Sequence, residues 1–192
     1  MNLLSVNVGL PREVDWKGRI VRTSIFKDAV AGRVRVSRLN VEGDQLPGMD
    51  LPCGVFGENF TTTGLLEETV DIGDRFRIGS AEFVVTQPRM PCYKLGIRFN
   101  RSDMVKRFLQ SGRTGFYFAV LKEGEVAAGD SIEALERDEH NISVADVVNL
   151  YREDAGNQDL LRRASELPSL PNSWREYFRK RLESGQQMTA QH

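Results

Sequence analysis

The chain is poor in the residues on which most catalytic and metal sites are built. Its 192 residues include two cysteines, Cys53 and Cys92, and two histidines, His140 and His192. No C-x-x-C pair occurs, which excludes the usual structural zinc frameworks. One histidine falls in a linker-like stretch and the other at the last position, so a histidine triad or multi-histidine metal site has almost nothing to draw on. Charge of one sign is also lacking. A formal net charge of −1 offers no general attraction to nucleic acid or an acidic membrane. No apolar run approaches a bilayer span, and Asn2, Asn7 and Gly9 interrupt any signal-like h-region. We expect a cytoplasmic protein with no membrane or nucleic-acid partner, in which a Cys53–Cys92 disulfide is not expected.

What is present is an ordinary globular balance, 40% hydrophobic and 28% charged. Residues 1–137 read as strand-rich, with strands expected over Ile20–Phe26, Arg33–Val36, Asp74–Ile78, Glu82–Thr86 and Phe116–Leu121. Arg33 to Val36 and Arg75 to Ile78 alternate with the period of two of a half-buried strand. Turns at Gly73-Asp74, Gly79-Ser80, Glu123-Gly124 and Gly129-Asp130 separate these runs, a spacing that favours a barrel or sandwich. A helix is expected over Ser102–Gln110, with Ser102 as N-cap and Gly112 as stop.

Over 138–184 the period changes to that of three short helices. The first starts at a Ser143-x-x-Asp146 box and carries Val144, Val147, Val148 and Tyr151. The second is capped by Asn157 and closed by Pro168. The third starts at Asn172 or Ser173 and carries Trp174, Tyr177, Phe178 and Leu182. Seven basic and seven acidic residues over 143–184 cancel, so this unit has no field for DNA phosphates. Its aromatic residues are expected to pack on the strand domain. Residues 185–192 read as a polar, disordered tail.

The most informative stretch runs from Val84 to Leu95 and holds Gln87-Pro88-Arg89-Met90-Pro91-Cys92-Tyr93-Lys94. Prolines at 88 and 91 exclude a helix interior or central strand and predict a stiff loop leaving a strand. Arg89 and Lys94 raise the local positive potential, which favours thiolate over thiol at Cys92. A thiolate serves as a nucleophile or as a soft-metal ligand. The residues alone also allow a buried, inert cysteine. Cys53, in Leu51-Pro52-Cys53-Gly54, has no basic neighbours and reads as structural. Gly54 to Thr62 reads as a polar turn, with donors and acceptors at Asn59 and Thr61.

Phe56-Gly57-Glu58-Asn59-Phe60 together with Gln87 to Leu95 resembles the bacterial MOSC-domain family, the molybdenum cofactor sulfurase C-terminal domain, in its YiiM-like type. Val41-Glu42-Gly43-Asp44 and the turn from Gly124 to Asp130 fit the same pattern, and the three-helix tail resembles the domain that accompanies this type. The resemblance covers nearly the whole chain. It implies a mostly β fold with α, a MOSC β-barrel-like domain followed by a small three-helix subdomain. It also implies a molybdopterin-type molybdenum cofactor, with Cys92 as catalytic residue and thiolate ligand to molybdenum. Asn59, Thr61, Gln87, Arg89, Lys94, Arg12 and Arg113 are the candidate cofactor-binding residues, the last two from position alone.

Relatives of this type reduce N-hydroxylated compounds, such as N-hydroxylated purine bases, with electrons from a separate redox protein. A homodimer is compatible. Two other readings use the same loop, a sulfur carrier or transferase with a Cys92 persulfide and a non-catalytic pterin-binding module. The chain departs from the family where a His-Gly-Gly segment is expected after Asp44, since Gln45 is followed at once by Leu46-Pro47. We expect a segment to be missing between Gln45 and Leu46.

Overall fold

A computed structural model describes residues 1–36, 41–43, 53–152 and 157–189, with backbone alone at 41–43 and 185–189. The junction of Gln45 and Leu46 lies outside them. Among the described residues, twelve strands precede or interleave with two helices, and three helices follow. In chain order the strands are β1 (Asn2–Val8), β2 (Arg12–Trp16), β3 (Arg19–Thr23), β4 (Asp28–Ala29), β5 (Val34–Val36), β6 (Val41–Gly43), β7 (Phe60–Thr63), β8 (Arg75–Ile78), β9 (Ala81–Pro88), β10 (Phe116–Lys122), β11 (Gly124–Val126) and β12 (Ile132–Glu136). The helices are α1 (Tyr93–Phe99), α2 (Met104–Ser111), α3 (Val144–Arg152), α4 (Gln158–Glu166) and α5 (Asn172–Thr189).

The largest sheet has five strands in the order β12-β8-β9-β10-β6; the others are β4-β1-β7 and the pairs β11-β5 and β2-β3. The expected mostly β architecture is present, but no ladder closes into a barrel among the described residues. The alternation read in sequence is the alternation observed: β8 buries Phe76 and Ile78, and β9 buries Ala81, Phe83 and Val85. Seven strands were not expected as strands, β1, β2, β4, β6, β7, β11 and β12. In β1 the polar Ser5 and Asn7 point inward and are buried, so its polarity does not reveal its pleat. The strand expected to reach Phe26 ends at Thr23.

Around Cys92 the backbone differs from the expected stiff loop in two ways. Strand β9 continues through Gln87 and Pro88, which pair with Tyr117 and Phe116 of β10. Pro88 is tolerated there because β8 pairs with β9 only as far as Val84. The loop is therefore only Arg89 to Cys92, and α1 starts immediately after it with Cys92 as N-cap. Asn100, in the left-handed conformation at φ 50°, ends α1 and returns its N–H to Gly96 and Ile97 carbonyls. Helix α2 begins at Met104 behind Asp103, one residue later than the cap expected at Ser102, and Gly112 stops it as expected.

The three-helix unit starts at the expected box, with Ser143 Oγ accepting from Asp146 N–H at 3.0 Å and Asp146 Oδ2 accepting from Ser143 N–H at 3.0 Å. Asn157 Oδ1 accepts from Leu160 N–H at 2.9 Å and caps α4. Helix α5 runs to Thr189, past the boundary expected at 184 and into the stretch expected to be disordered. One hydrophobic core joins the sheets to this unit: Phe76, Phe83 and Phe118 share it with Val144, Val147, Leu161, Leu167 and Phe178. Phe178 is fully buried and Trp174 packs against the core, while Tyr177 remains partly exposed. Tyr151, Ser173, Trp174 and Tyr177 line a shallow apolar hollow of about 180 Å³. Among the described residues no helix is long and apolar enough to cross a membrane.

Candidate functional site

A second, smaller core places the cysteine loop. Phe56, from the turn over 54–58, is fully buried and lies 5.3 Å, centroid to centroid, from both Phe99 of α1 and Phe108 of α2. Val55 and Leu95 complete this cluster, with Met104 against it. Aromatic rings in tilted contact at this spacing contribute about 0.5–1.5 kcal/mol beyond the area they bury. The short helix that Cys92 precedes as N-cap is thus held by the turn that carries Phe56.

Polar groups reinforce this join. The Arg89 guanidinium, on a buried side chain, donates to the Phe56 carbonyl and lies 5.6 Å from the Phe108 ring centroid. Arg98 Nε donates to the Val55 carbonyl at 3.1 Å. Two arginines on either side of Cys92 therefore grip adjacent carbonyls of one turn. Gly57 allows the turn its shape: its φ is +82°, and a Cβ there would stand 3.0 Å from Ile25 Cγ1 and 3.1 Å from the Ile25 carbonyl oxygen.

The turn, the loop and the segment after β3 enclose an open cavity of about 370 Å³, lined chiefly by Ser24, Lys27, Asn59, Arg89, Cys92 and Lys94, with Tyr117 of β10 on its wall. A small-molecule site of roughly 300–1,000 Å³ is typical. Cys92 is exposed and carries a free thiol, and Cys53 is not in a disulfide. Lys27 Nζ donates to Asn59 Oδ1 at 2.6 Å, and Asn59 Nδ2 donates to the Asn7 carbonyl at 3.0 Å, so the lysine is steered by a fixed amide. Three cationic side chains and a thiol share one polar concavity, a donor set for an anionic ligand that also offers soft-metal ligation.

Of the eight residues expected at the site, Asn59, Arg89, Cys92 and Lys94 line this cavity. Thr61 is buried beneath it, donating to Glu58 Oε1 at 3.1 Å. Gln87 lies in the β9 ladder opposite Tyr117 and is not among the lining residues. Arg12 stacks over the Phe26 ring at 3.7 Å, and Arg113 pairs with Glu67 at 3.3 Å and Glu68 at 2.7 Å. Neither reaches the cavity wall. Arg89 contributes to the wall while also clamping Phe56, a structural task the sequence did not suggest. Sequence reasoning missed Lys27, Ser24 and Tyr117, which reach the cavity from remote positions and carry no local motif.

Comparison with known proteins adds independent findings. The MOSC domain model matches residues 31–133, and the model of the YiiM-like 3-alpha helix domain matches residues 142–185. The chain is 35% identical to protein YflK of Bacillus subtilis (strain 168), over 94% of each chain. That alignment spans 207 residues, more than the 192 of this chain, so the relative carries stretches this chain lacks. A Gibberella moniliformis protein named reductase is 38% identical over 116 residues, which are 60% of this chain and 21% of that protein. Among solved structures, YiiM from Geobacillus stearothermophilus superposes with a TM-score of 0.82 at 33% identity, covering 94% of this chain and 98% of its own. YiiM from Escherichia coli gives 0.73 at 27% identity, covering 82% and 89%.

Proposed function

Because the chain belongs to the MOSC-domain family and carries the YiiM-like three-helix domain, we propose that it is a molybdenum-cofactor-dependent reductase of N-hydroxylated compounds, such as N-hydroxylated purine bases. The observation that carries this reading is an exposed Cys92 thiol in a cavity whose wall also presents Lys27, Arg89 and Lys94. The donor set suits the group that gives the domain its name. A thiolate is an appropriate ligand for a metal already held by dithiolene sulfur, and ammonium groups suit the pterin's phosphate.

In this reading Cys92 ligates molybdenum. Lys27, oriented by Asn59, and Lys94, at the start of α1, bind the phosphate. Ser24 and Asn59 supply hydrogen bonds to the pterin, and Tyr117 and Met90 shape the substrate side of the cavity. When bound, the cofactor supplies the oxygen-atom chemistry and the electron relay. The overall change consumes two electrons and two protons, cleaves the N–O bond, and gives the amine and water. The electrons come from a separate redox protein. The protein named reductase among the relatives is consistent with that chemistry class, though this chain spans about a fifth of its length.

The test is reduction of an N-hydroxylated purine base by protein produced in a molybdenum-sufficient host and supplied with a chemical electron donor. Stoichiometric formation of the parent base, lost in Cys92→Ser, is expected, because serine is a harder and much less acidic ligand. Turnover by Cys92→Ser would contradict the assignment. The exposed thiol also suits a persulfide carrier; intact mass spectrometry showing one added sulfur, removed by reductant, would favour that reading instead.

A further inference from the structure

One fully buried ionisable group beside the cavity has no part in the chemistry above. Glu58 is 0% exposed. Its Oε1 accepts from Gly54 N–H at 2.6 Å and from the Thr61 hydroxyl at 3.1 Å, and its Oε2 accepts from Phe56 N–H at 2.9 Å. Behind it, Asn7 Nδ2 donates to Thr61 Oγ1 at 3.2 Å and Ser5 Oγ donates to Asn7 Oδ1 at 2.8 Å, all on buried residues. Ser5, Asn7 and Thr61 are not among the residues that line the cavity. Glu58 is not among the lining residues, whereas its neighbours Gly57 and Asn59 are.

Burial pushes the Glu58 carboxyl above the usual range, against the pull of the Glu58 and Gly54 backbone N–H groups, Thr61 and the nearby charge of Arg89. Burying a carboxyl is costly unless specific partners hold it. Those partners show what the group does. It gathers the N–H groups of Gly54 and Phe56, and Arg89 takes the Phe56 carbonyl, so Glu58 and Arg89 hold the two backbone groups of one residue and, with the attraction between their charges, connect the 54–59 turn to the loop before Cys92. Arg98 makes a second tie, to Val55, that does not pass through Glu58.

We propose that Glu58 is a positioning residue that, through Arg89, fixes where the Cys92 loop stands against the 54–59 turn. It touches neither substrate nor cofactor. Its consequence for turnover rests on the reductase reading; its consequence for the loop does not.

Amide hydrogen exchange on the cofactor-free chain tests the loop directly. Glu58→Gln should raise exchange about tenfold over 54–59 and 89–95, leaving β8, β10 and α3–α5 unchanged. Arg89→Gln should raise it over 89–95 to a similar degree. The double variant should be no looser there than Arg89→Gln alone, the non-additivity expected of residues acting in series. If Glu58→Gln does not fold, Thr61→Val weakens the same anchor and should loosen 89–95 about threefold. Protection at 89–95 that stays at the wild-type level, loosening spread evenly over the chain, or additive single effects would each overturn the proposal.

In protein that reduces the N-hydroxylated base, Glu58→Gln should lower kcat about tenfold with KM within about twofold. A change confined to KM would also overturn it. Absence of reductase activity in the wild type would remove the functional reading and leave the exchange result standing.

Discussion

Among the described residues two hydrophobic cores are built on different terms. The larger runs from the sheets into the three-helix unit, with Phe76, Phe83 and Phe118 on one side and Val147, Leu161 and Phe178 on the other. The smaller holds Val55, Phe56, Leu95 and Phe108, with Phe99 and Met104 against it. The first draws on many remote segments and is almost wholly apolar. The second is small, with arginine–carbonyl bonds and a buried carboxyl group at its border, and the Cys92 loop rests on it. Most of the buried apolar side chains lie in one region, and the cavity with Cys92 lies beside the other.

Truncating one ring in each core should bring that difference out. Phe178→Ala and Phe56→Ala should each cost about 3–5 kcal/mol in urea unfolding, since both rings are fully buried. Only Phe56→Ala should release the amides of 89–99 at a free energy below global unfolding. Equal local protection in the two variants would erase the distinction. Gly57→Ala should cost less, about 1–2 kcal/mol, because alanine is strained at φ +82°. It should also displace Ile25, detected as a changed chemical shift at Ile25 and Lys27; an unmoved wall would show that the turn and the β3 extension are not coupled.

The smallest effect belongs to the acidic corner where the larger core meets α3. Burial first, then the Asp74 carboxylate, raises Asp71 above its ordinary 3.8, with Arg137 opposing. The folded chain therefore keeps this proton where the unfolded chain has lost it. The contribution favours folding in acid below 3.8 and is lost as pH rises through the elevated value. Asp71→Asn should then unfold at higher urea than wild type near neutral pH, with the gap narrowing in acid. Parallel pH profiles for the two proteins would contradict this.

The same contrast governs what could be read from sequence. The larger core announced itself: β8, β9 and β10 alternate, and α3 and α4 carry caps at Ser143 and Asn157 with apolar faces in register. Strand β1 was hidden because Ser5 and Asn7 are polar yet buried, Ser5 satisfied by Asn7 and Asn7 by Thr61 far along the chain. Helix α1 was hidden because it is seven residues long, follows Pro91 and contains Gly96. At the site, the Cys92 loop was legible through its prolines and cations. Lys27, Ser24 and Tyr117 were not, because the fold alone brings those segments to one cavity. Arg12 and Arg113 were placed by sequence position, and the fold uses them on Phe26 and on Glu67 with Glu68.

Direct quantification of molybdenum and pterin, in wild-type protein and in Cys92→Ser from the same molybdenum-sufficient host, bears most immediately on the central claim. The account predicts both components approaching one per folded chain in the wild type, and molybdenum lost from the serine variant while its fold is retained. Wild-type protein free of pterin and molybdenum, or a serine variant that holds the metal equally well, would contradict it.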